Sequence, residues 1–489
     1  MSMGRRESEA QSEFWVASER LPRSPGHPFY DLLNQVLETA GFDGFCETAC
    51  RKFYAEKMGR PSVAPGVYFR MLMVGYFEKI DSERGIVWRC SDSLSLRTFL
   101  GLGPEEGVPD DSSLNRARLR IDVETHQAVF DWVLKRLAER ELLKGRTLGV
   151  DASTMEANAA MRSIVRRESG QSYRAFLEAL AKESGIETPT AEDLARFDRK
   201  RKGKKCGNDD WFNPHDPDAK IAKMKDGTTH LAYKPEHAVD LETGAIVAAV
   251  IHPADQGDTT TLPGTLERAG QSLREVREDE QVDVDTTQVH MKEAVADKGY
   301  HSGQTLVNLE EVELRGYIAE PQRGRQCWTA RPMRGASPAE VEQEQALKRQ
   351  EQSAVYANRR RRKGERSRRL HRKRGELVER SFEHVLDDGG MRRAHLRGDE
   401  NVSKRYLIHT AAFNLGLIMR KLTGFGTPKG WAAALRGVLH SLLSSLLSSL
   451  LSRPRRLRAR ALIPIRLLVS RIRPTPATTE FPSHDLTAL

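Results

Sequence analysis

A chain of 489 residues, 38% hydrophobic and 30% charged, is globular but wet and too long for one ordinary domain. No run reaches the roughly 18 apolar residues of a membrane span, and the polar, mixed-charge start lacks an apolar segment, so neither a membrane partner nor a signal peptide is expected. The net charge of +10 is concentrated: residues 358–374 hold eleven Lys or Arg against Glu365, and 453–473 hold eight Arg and no acid, which favours an anionic polymer such as nucleic acid.

Residues 1–26 are polar and read as disordered. From His27, the recurrence of Phe29, Leu32, Leu33, Val36, Leu37 and Ala40 predicts a helix that Gly41 ends. Further helices are predicted over 65–79 and from Ser93 to Gly101. Pro109 and the Asp/Ser run after it signal a turn and a helix N-cap. The basic helix that follows sets Arg116 and Arg120 one turn apart, as a DNA recognition helix does and as an ordinary surface helix also does. Val129, Phe130, Val133, Leu134 and Leu137 mark one more helix, so 27–143 reads as an all-α domain.

Leu148, Gly149 and Val150 read as a buried strand ending on Asp151, an acid at the rim of a sheet. On this stretch alone, a turn-capping aspartate fits equally well. Residues 158–226, with a basic cluster from Lys200 to Lys205, read as an insertion of helix and loop. Thr229 to Val239 and Ala245 to His252 alternate as a β-hairpin around Asp240 to Gly244. A helix carrying Leu262, Leu266, Ala269 and Leu273 follows, with Asp255 and Asp258 as turn and cap residues near its start. Ala294 to Ala296 is a short buried strand ending on Asp297, Ser302 caps another helix, and Tyr317 to Ala319 is a last strand. This α/β order is that of an RNase H-like mixed sheet flanked by helices, interrupted after its first strand. Residues 322–370 are weakly patterned and read as a second insertion.

Arg374 to Leu386 is helical by period, with Leu377, Val378, Phe382, Val385 and Leu386 on one face. Of its acids, Glu376 and Glu383 lie in the polar face, while Glu379 borders the apolar stripe and is best placed to reach a sheet. Tyr406 to Leu422 is an apolar helix, and after about residue 426 the chain turns to a Ser/Leu repeat and the Arg-rich extension. Five scattered cysteines (Cys46, Cys50, Cys90, Cys206, Cys327) complete no zinc-ligand spacing and fit a reduced, cytoplasmic protein. Phosphodiester cleavage needs an activated water and a stabilised 3′-oxygen, which two Mg²⁺ ions supply in many nucleases. Magnesium takes oxygen ligands, and Asp151, Asp297 and Glu379 are the matching inventory. A carboxylate-pair glycosidase would want an aromatic-lined cleft, and aromatics are 7% of the chain with none clustered near these acids.

Gly149-Val-Asp-Ala-Ser-Thr-Met-Glu-Ala-Asn158, Ala296-Asp-Lys-Gly-Tyr300 and Leu377-Val-Glu-Arg-Ser-Phe382 closely resemble the DDE transposases of bacterial insertion sequences, nearest to the IS-eleven-eighty-two-like group of the IS-five-like superfamily. Val108 to Ser113, Asp216-Pro-Asp-Ala-Lys220 and Leu231 to Val239 support the resemblance, which spans about residues 27–425. It implies an RNase H-like catalytic domain over 144–425, with insertions at about 158–226 and 322–370, and a C-terminal extension over 426–489. Asp151, Asp297 and Glu379 would be the catalytic residues and the ligands of two Mg²⁺ ions, with Mn²⁺ able to substitute. The all-α domain would bind the element's terminal inverted repeats, and the enzyme would cleave the element ends and join the 3′-OH to target DNA. The partners implied are double-stranded DNA and a second copy in an end-paired homodimer, in the bacterial cytoplasm at the nucleoid. Related families carry an Arg one turn before the Glu and a Lys two turns after it, whereas this chain has Gly375 and Leu386 there. Arg374, Arg392 and Arg393 are therefore the candidate DNA contacts of this region, beside Arg116 and Arg120. The alternative is a catalytically inactive DNA-binding protein derived from such an element.

Overall fold

Helices open the chain because apolar residues recur at helical spacing between strong caps. They are α1 (Pro28–Thr39), α2 (Phe42–Cys50), α3 (Pro65–Glu78), α4 (Glu83–Asp92), α5 (Leu94–Phe99), α6 (Asp111–Arg120) and α7 (Val123–Ala138). The side chains of Ser82, Ser93, Asp110 and Asp122 each accept a backbone N–H of the helix they precede. Gly41, in the left-handed region at φ 69°, turns α1 into α2. The periodicity did not reveal α2 or α4, whose buried residues are few: Phe42, Cys46 and Cys50 in one, Ile86 and Cys90 in the other.

The computed structural model describes residues 26–433 apart from 56–61, 104, 201–206, 225–226, 280–281, 283–285, 323, 325 and 330–336. The polar residues 1–25, most of the Lys200–Lys205 cluster, the Ser/Leu repeat and the Arg-rich run after it lie outside the described residues. Among the described residues, no helix is long and apolar enough to cross a membrane.

After α7 come β1 (Thr147–Ala152), β2 (Met155–Glu156), β3 (Val165–Arg166), α8 (Tyr173–Glu183), α9 (Ala191–Lys200), β4 (Trp211–Phe212), β5 (Lys220–Lys223), β6 (Thr229–Asp240), β7 (Ile246–Pro253), α10 (Asp258–Glu278), β8 (Glu293–Ala296), α11 (Gly303–Glu311) and β9 (Arg315–Ile318). The chain continues through α12 (Pro338–Arg362) and α13 (Glu365–Phe382), one π-helical segment at Glu383–Asp388, and α14 (Asp399–Thr423). The sheet is mixed. Its strands run β7, β6, β1, β8, β9 across, with β6 antiparallel to both neighbours and β1, β8 and β9 parallel. The long β6 also pairs with β2 and β5. Between β2 and β6, the insertion forms α8 and α9 around Leu177, Ala181 and Leu194, with β3 paired to β4.

Alternation along β6 sends neighbouring residues to opposite faces. His237, opposite Asp151 in the register, meets Ser381 of α13 and Tyr406 of α14, whereas Glu236 meets Thr261 and Thr265 of α10. Helices therefore cover both faces of the sheet. The helical region shares this core: buried Arg118 of α6 pairs with Glu83 and bonds Asn401 of α14, and buried Arg405 donates to the Ile80 carbonyl. Residues 322–370, expected to be an unpatterned insertion, instead contain α12 and the start of α13. Only Ala354, Val355 and Asn358 of α12 are buried, too few to leave a periodic signal, although Ser337 and Glu340 form a capping box that marks its start.

Gly149 sets the distance between sheet and helix. A Cβ there would lie 2.6 Å from Leu241, 3.1 Å from Arg374 Cγ and 3.2 Å from Val378, so α13 rests directly on β1. Gly149→Val should destabilise the fold by about 2 kcal/mol through overpacking, read as a lower urea midpoint. An unchanged midpoint would show that α13 is not held against β1 at this point.

Candidate active site

Asp151, Asp297 and Glu379 line one cleft of about 740 Å³. Each arrives by a different route. Asp151 lies next to last in β1, on the face that Gly149 opens to α13. Asp297 directly follows β8, the parallel neighbour of β1, and its Oδ1 accepts the Gly299 amide at 2.7 Å. Glu379 projects from α13, which crosses above both strands.

The flanking residues of each block have local work to do. After Asp151 the chain runs along the edge of β6. The Ser153 amide donates to the Pro235 carbonyl, β2 pairs with β6, and the Ala157 amide donates to the Leu231 carbonyl. On its other side, Glu156 exchanges backbone bonds with Arg392 and Ala394, which brings Arg392 to the cleft. In the second block, a Cβ at Gly299 would lie 2.2 Å from Asp258 Oδ2 and push that carboxylate aside. Buried Tyr300 donates to Glu236 Oε1 at 2.8 Å. Glu236 also accepts from Thr261 and Thr265, and its burial raises its pKa despite these bonds. One buried carboxylate thus ties β6, α10 and the turn carrying Asp297 together.

The cleft is rich in negative charge. Asp258, Glu383 and Asp387 line it beside the three expected acids. Three of the six are paired: Asp151 Oδ2 with Arg374 Nη1 at 2.6 Å, Asp258 with buried Lys234 at 2.7 Å, and Asp387 with Arg392 in a two-point bridge at 2.6 and 2.8 Å. Asp297, Glu379 and Glu383 make no ion pair among the described residues. Burial pushes the Asp151 carboxyl above its ordinary range and the neighbouring Asp297 adds to this, opposed by Arg374 and the Ala152 amide. All six acids are oxygen donors suited to a hard cation. As they lie, no three Asp, Glu, His or Cys side chains among the described residues stand close enough to hold one ion together. The cation resting on Asp151 is the guanidinium of Arg374.

Of the other residues singled out from sequence, Arg374 and Arg392 line the cleft. Arg393 turns toward Glu156, 3.7 Å away. Arg116 is exposed on α6 and bonded to Ser113, while Arg120 of the same helix stacks on Tyr54, and neither lines the cleft. Asp255 is an exposed turn residue, as expected. Asp258 is not the cap of α10, a correction to the sequence reading: the N-cap is Gly257, without a side-chain bond, and the Asp258 carboxylate goes to Lys234 instead. Its place past a strand end makes it a rival acid in the sequence, and the structure puts it in the cleft. Glu383, set on the polar face by helical periodicity, also lines the cleft, one regular helical turn after Glu379.

Beneath the cleft, His237 is fully buried and stacked on Phe382. Tyr406 donates to Nε2 at 2.7 Å, and the Ser381 hydroxyl is committed to the Val378 carbonyl, so Nδ1 carries the proton and donates to Ser381 at 2.8 Å.

Residues 17–120 match the model of a Transposase domain (DUF772), and residues 194–415 match that of a Transposase DDE domain. Asp297 and Glu379 fall inside the second match, and Asp151 falls between the two. Neither the curated proteins nor the solved structures provide a match.

Two measurements probe this arrangement. Tyr300→Phe removes a bond to a buried carboxylate and should cost about 1 to 2 kcal/mol, and unchanged stability would show that Glu236 does not anchor the turn. Burial lowers the His237 pKa from 6.5 to about 3. Between those values the unfolded chain binds a proton that the folded chain refuses, so stability should fall on acidification from about pH 6.5. The pKa values of His126, His252 and His409 are lowered by burial in the same way, so His237→Asn, which does not titrate, should make that profile shallower without flattening it, and an equally steep one would remove His237 as a contributor.

Proposed function

We propose that this chain, which carries a transposase DDE domain behind a second transposase domain, is an active insertion-sequence transposase of the IS-eleven-eighty-two-like kind. The observation that carries the reading is the cleft itself: six carboxylates face it, and among the described residues Asp297, Glu379 and Glu383 have no cationic partner there. Such an excess of charge calls for a cation, and the all-oxygen donor set suits Mg²⁺ or Mn²⁺. Asp151 and Asp297, at the ends of adjacent parallel strands, with Glu379 above them, would hold two such ions. When bound, a metal pair supplies an activated water and charge stabilisation at the leaving 3′-oxygen.

The protein's own groups do the positioning. Arg392 and Arg374 offer guanidinium groups at the cleft for backbone phosphates. The strand order, three antiparallel strands followed by two parallel ones, supports reading residues 144–425 as an RNase H-like domain. Residues 27–143 would then bind the terminal inverted repeats, with exposed Arg116 on α6 as the first contact to test. A homodimer pairing two element ends, working on DNA at the nucleoid, completes the proposal.

Cleavage of an end-bearing duplex in Mg²⁺ or Mn²⁺ tests it. Asp297→Asn and Glu379→Gln should each lower cleavage at least a hundredfold (~2.7 kcal/mol of barrier) while DNA retention in a gel shift is kept. Glu383→Gln should cleave normally. An active Glu379→Gln beside an inactive Glu383→Gln would move the third ligand one turn along the helix, and full activity in all three would overturn the metal reading.

A further inference from the structure

We infer that Arg374 is a built-in competitor for the metal position at Asp151: its guanidinium holds the carboxylate oxygen that a divalent cation needs and must leave it before the ion binds. The inference rests on the metal reading of the cleft. Its first support is geometric. Arg374 Nη1 lies 2.6 Å from Asp151 Oδ2, and the two side chains are only 14% and 25% exposed. The other oxygen, Oδ1, already accepts the Ala152 amide at 2.9 Å, which leaves Oδ2 as the oxygen to be contested.

The second support is that Arg374 is incompletely satisfied where it lies. Its Nε is buried without a hydrogen-bond partner, a state that costs free energy and favours release when a better arrangement is offered. The third is the contrast within the cleft. Arg392 grips Asp387 through both carboxylate oxygens, and both side chains are about half exposed. Lys234 holds Asp258 from a buried position, with Gln256 and Thr261 as further partners. Arg374 alone combines a single carboxylate bond with an unsatisfied nitrogen on an acid expected to bind metal. Once displaced, its charge lies beside the metal position, where a phosphodiester group would arrive. Arg374 is in this reading a positioning residue that sets when the site accepts metal.

Mn²⁺ binding to the full chain, followed by electron paramagnetic resonance without DNA, separates the outcomes. Arg374→Gln should bind Mn²⁺ about tenfold more tightly than the unaltered chain, since removing an ion-paired cation commonly shifts such an equilibrium by that factor. Arg374→Lys should stay near the unaltered affinity. Arg392→Gln, which deletes the same charge from the same cleft without freeing Asp151, should gain far less. An affinity unchanged in Arg374→Gln but lost in Asp297→Asn overturns the competition while leaving the metal reading intact. Equal gains in the Arg374→Gln and Arg392→Gln variants also overturn it, since general charge then explains both. No Mn²⁺ binding by any variant overturns both readings together.

Discussion

The contact on which the site depends is the bare approach of α13 to β1 at Gly149. Only a residue without a side chain lets the helix settle close enough for Arg374 Cγ and Val378 to touch that position. Asp151, two residues on and therefore on the same face of the strand, comes to lie under that helix and within reach of Arg374. A wider separation would leave Glu379 stranded on a distant helix and Asp151 a solvated strand end. One missing methyl group thus converts two remote stretches of chain into a single cleft.

Around this contact the molecule keeps its carboxylates in two different conditions. Glu236, on the opposite face of the sheet, is enclosed and satisfied by two threonines and a tyrosine. It acts as a fastener, because its three donors come from α10 and from the turn that carries Asp297. The acids of the cleft are treated otherwise: half are balanced by Arg374, Lys234 or Arg392, and half have no counter-charge among the described residues. Leaving charge unbalanced in a concave site costs stability, and such costs are tolerated where a ligand removes them. The same logic accounts for the Lys-Gly-Tyr sequence after Asp297, where the glycine makes room for Asp258 and the tyrosine reaches the fastener.

Much of this was legible in the amino-acid sequence, for identifiable reasons. The strands ending in Asp151 and Asp297 are short apolar runs closed by an acid, and the hairpin of β6 and β7 alternates cleanly. The helix caps at Ser82, Ser93 and Ser302 follow ordinary capping chemistry. What was not legible depends on tertiary placement. The long helix α12 buries too few residues to carry a periodic signal. Asp258 looked like a cap because its partner, Lys234, is distant in sequence and hidden in β6. Glu379 and Glu383 stand one turn apart and both line the cleft, so a helical wheel, which is blind to tertiary neighbours, could not rank them. The role of Arg374 was hidden too, since its partner Asp151 is separated from it by most of the domain.

The central claim, that this cleft binds divalent cations through acids brought together from β1, β8 and α13, can be addressed without DNA or turnover. Fe²⁺ loaded into the protein in place of Mg²⁺, with hydrogen peroxide as oxidant and ascorbate to re-reduce the iron, generates hydroxyl radicals at the bound ion, and mass spectrometry locates the resulting backbone cuts. Cuts clustered around residues 151–153, 297–299 and 379–383, suppressed by excess Mg²⁺, are the expected result. Cuts spread over the chain, or concentrated away from these three segments, would contradict the claim.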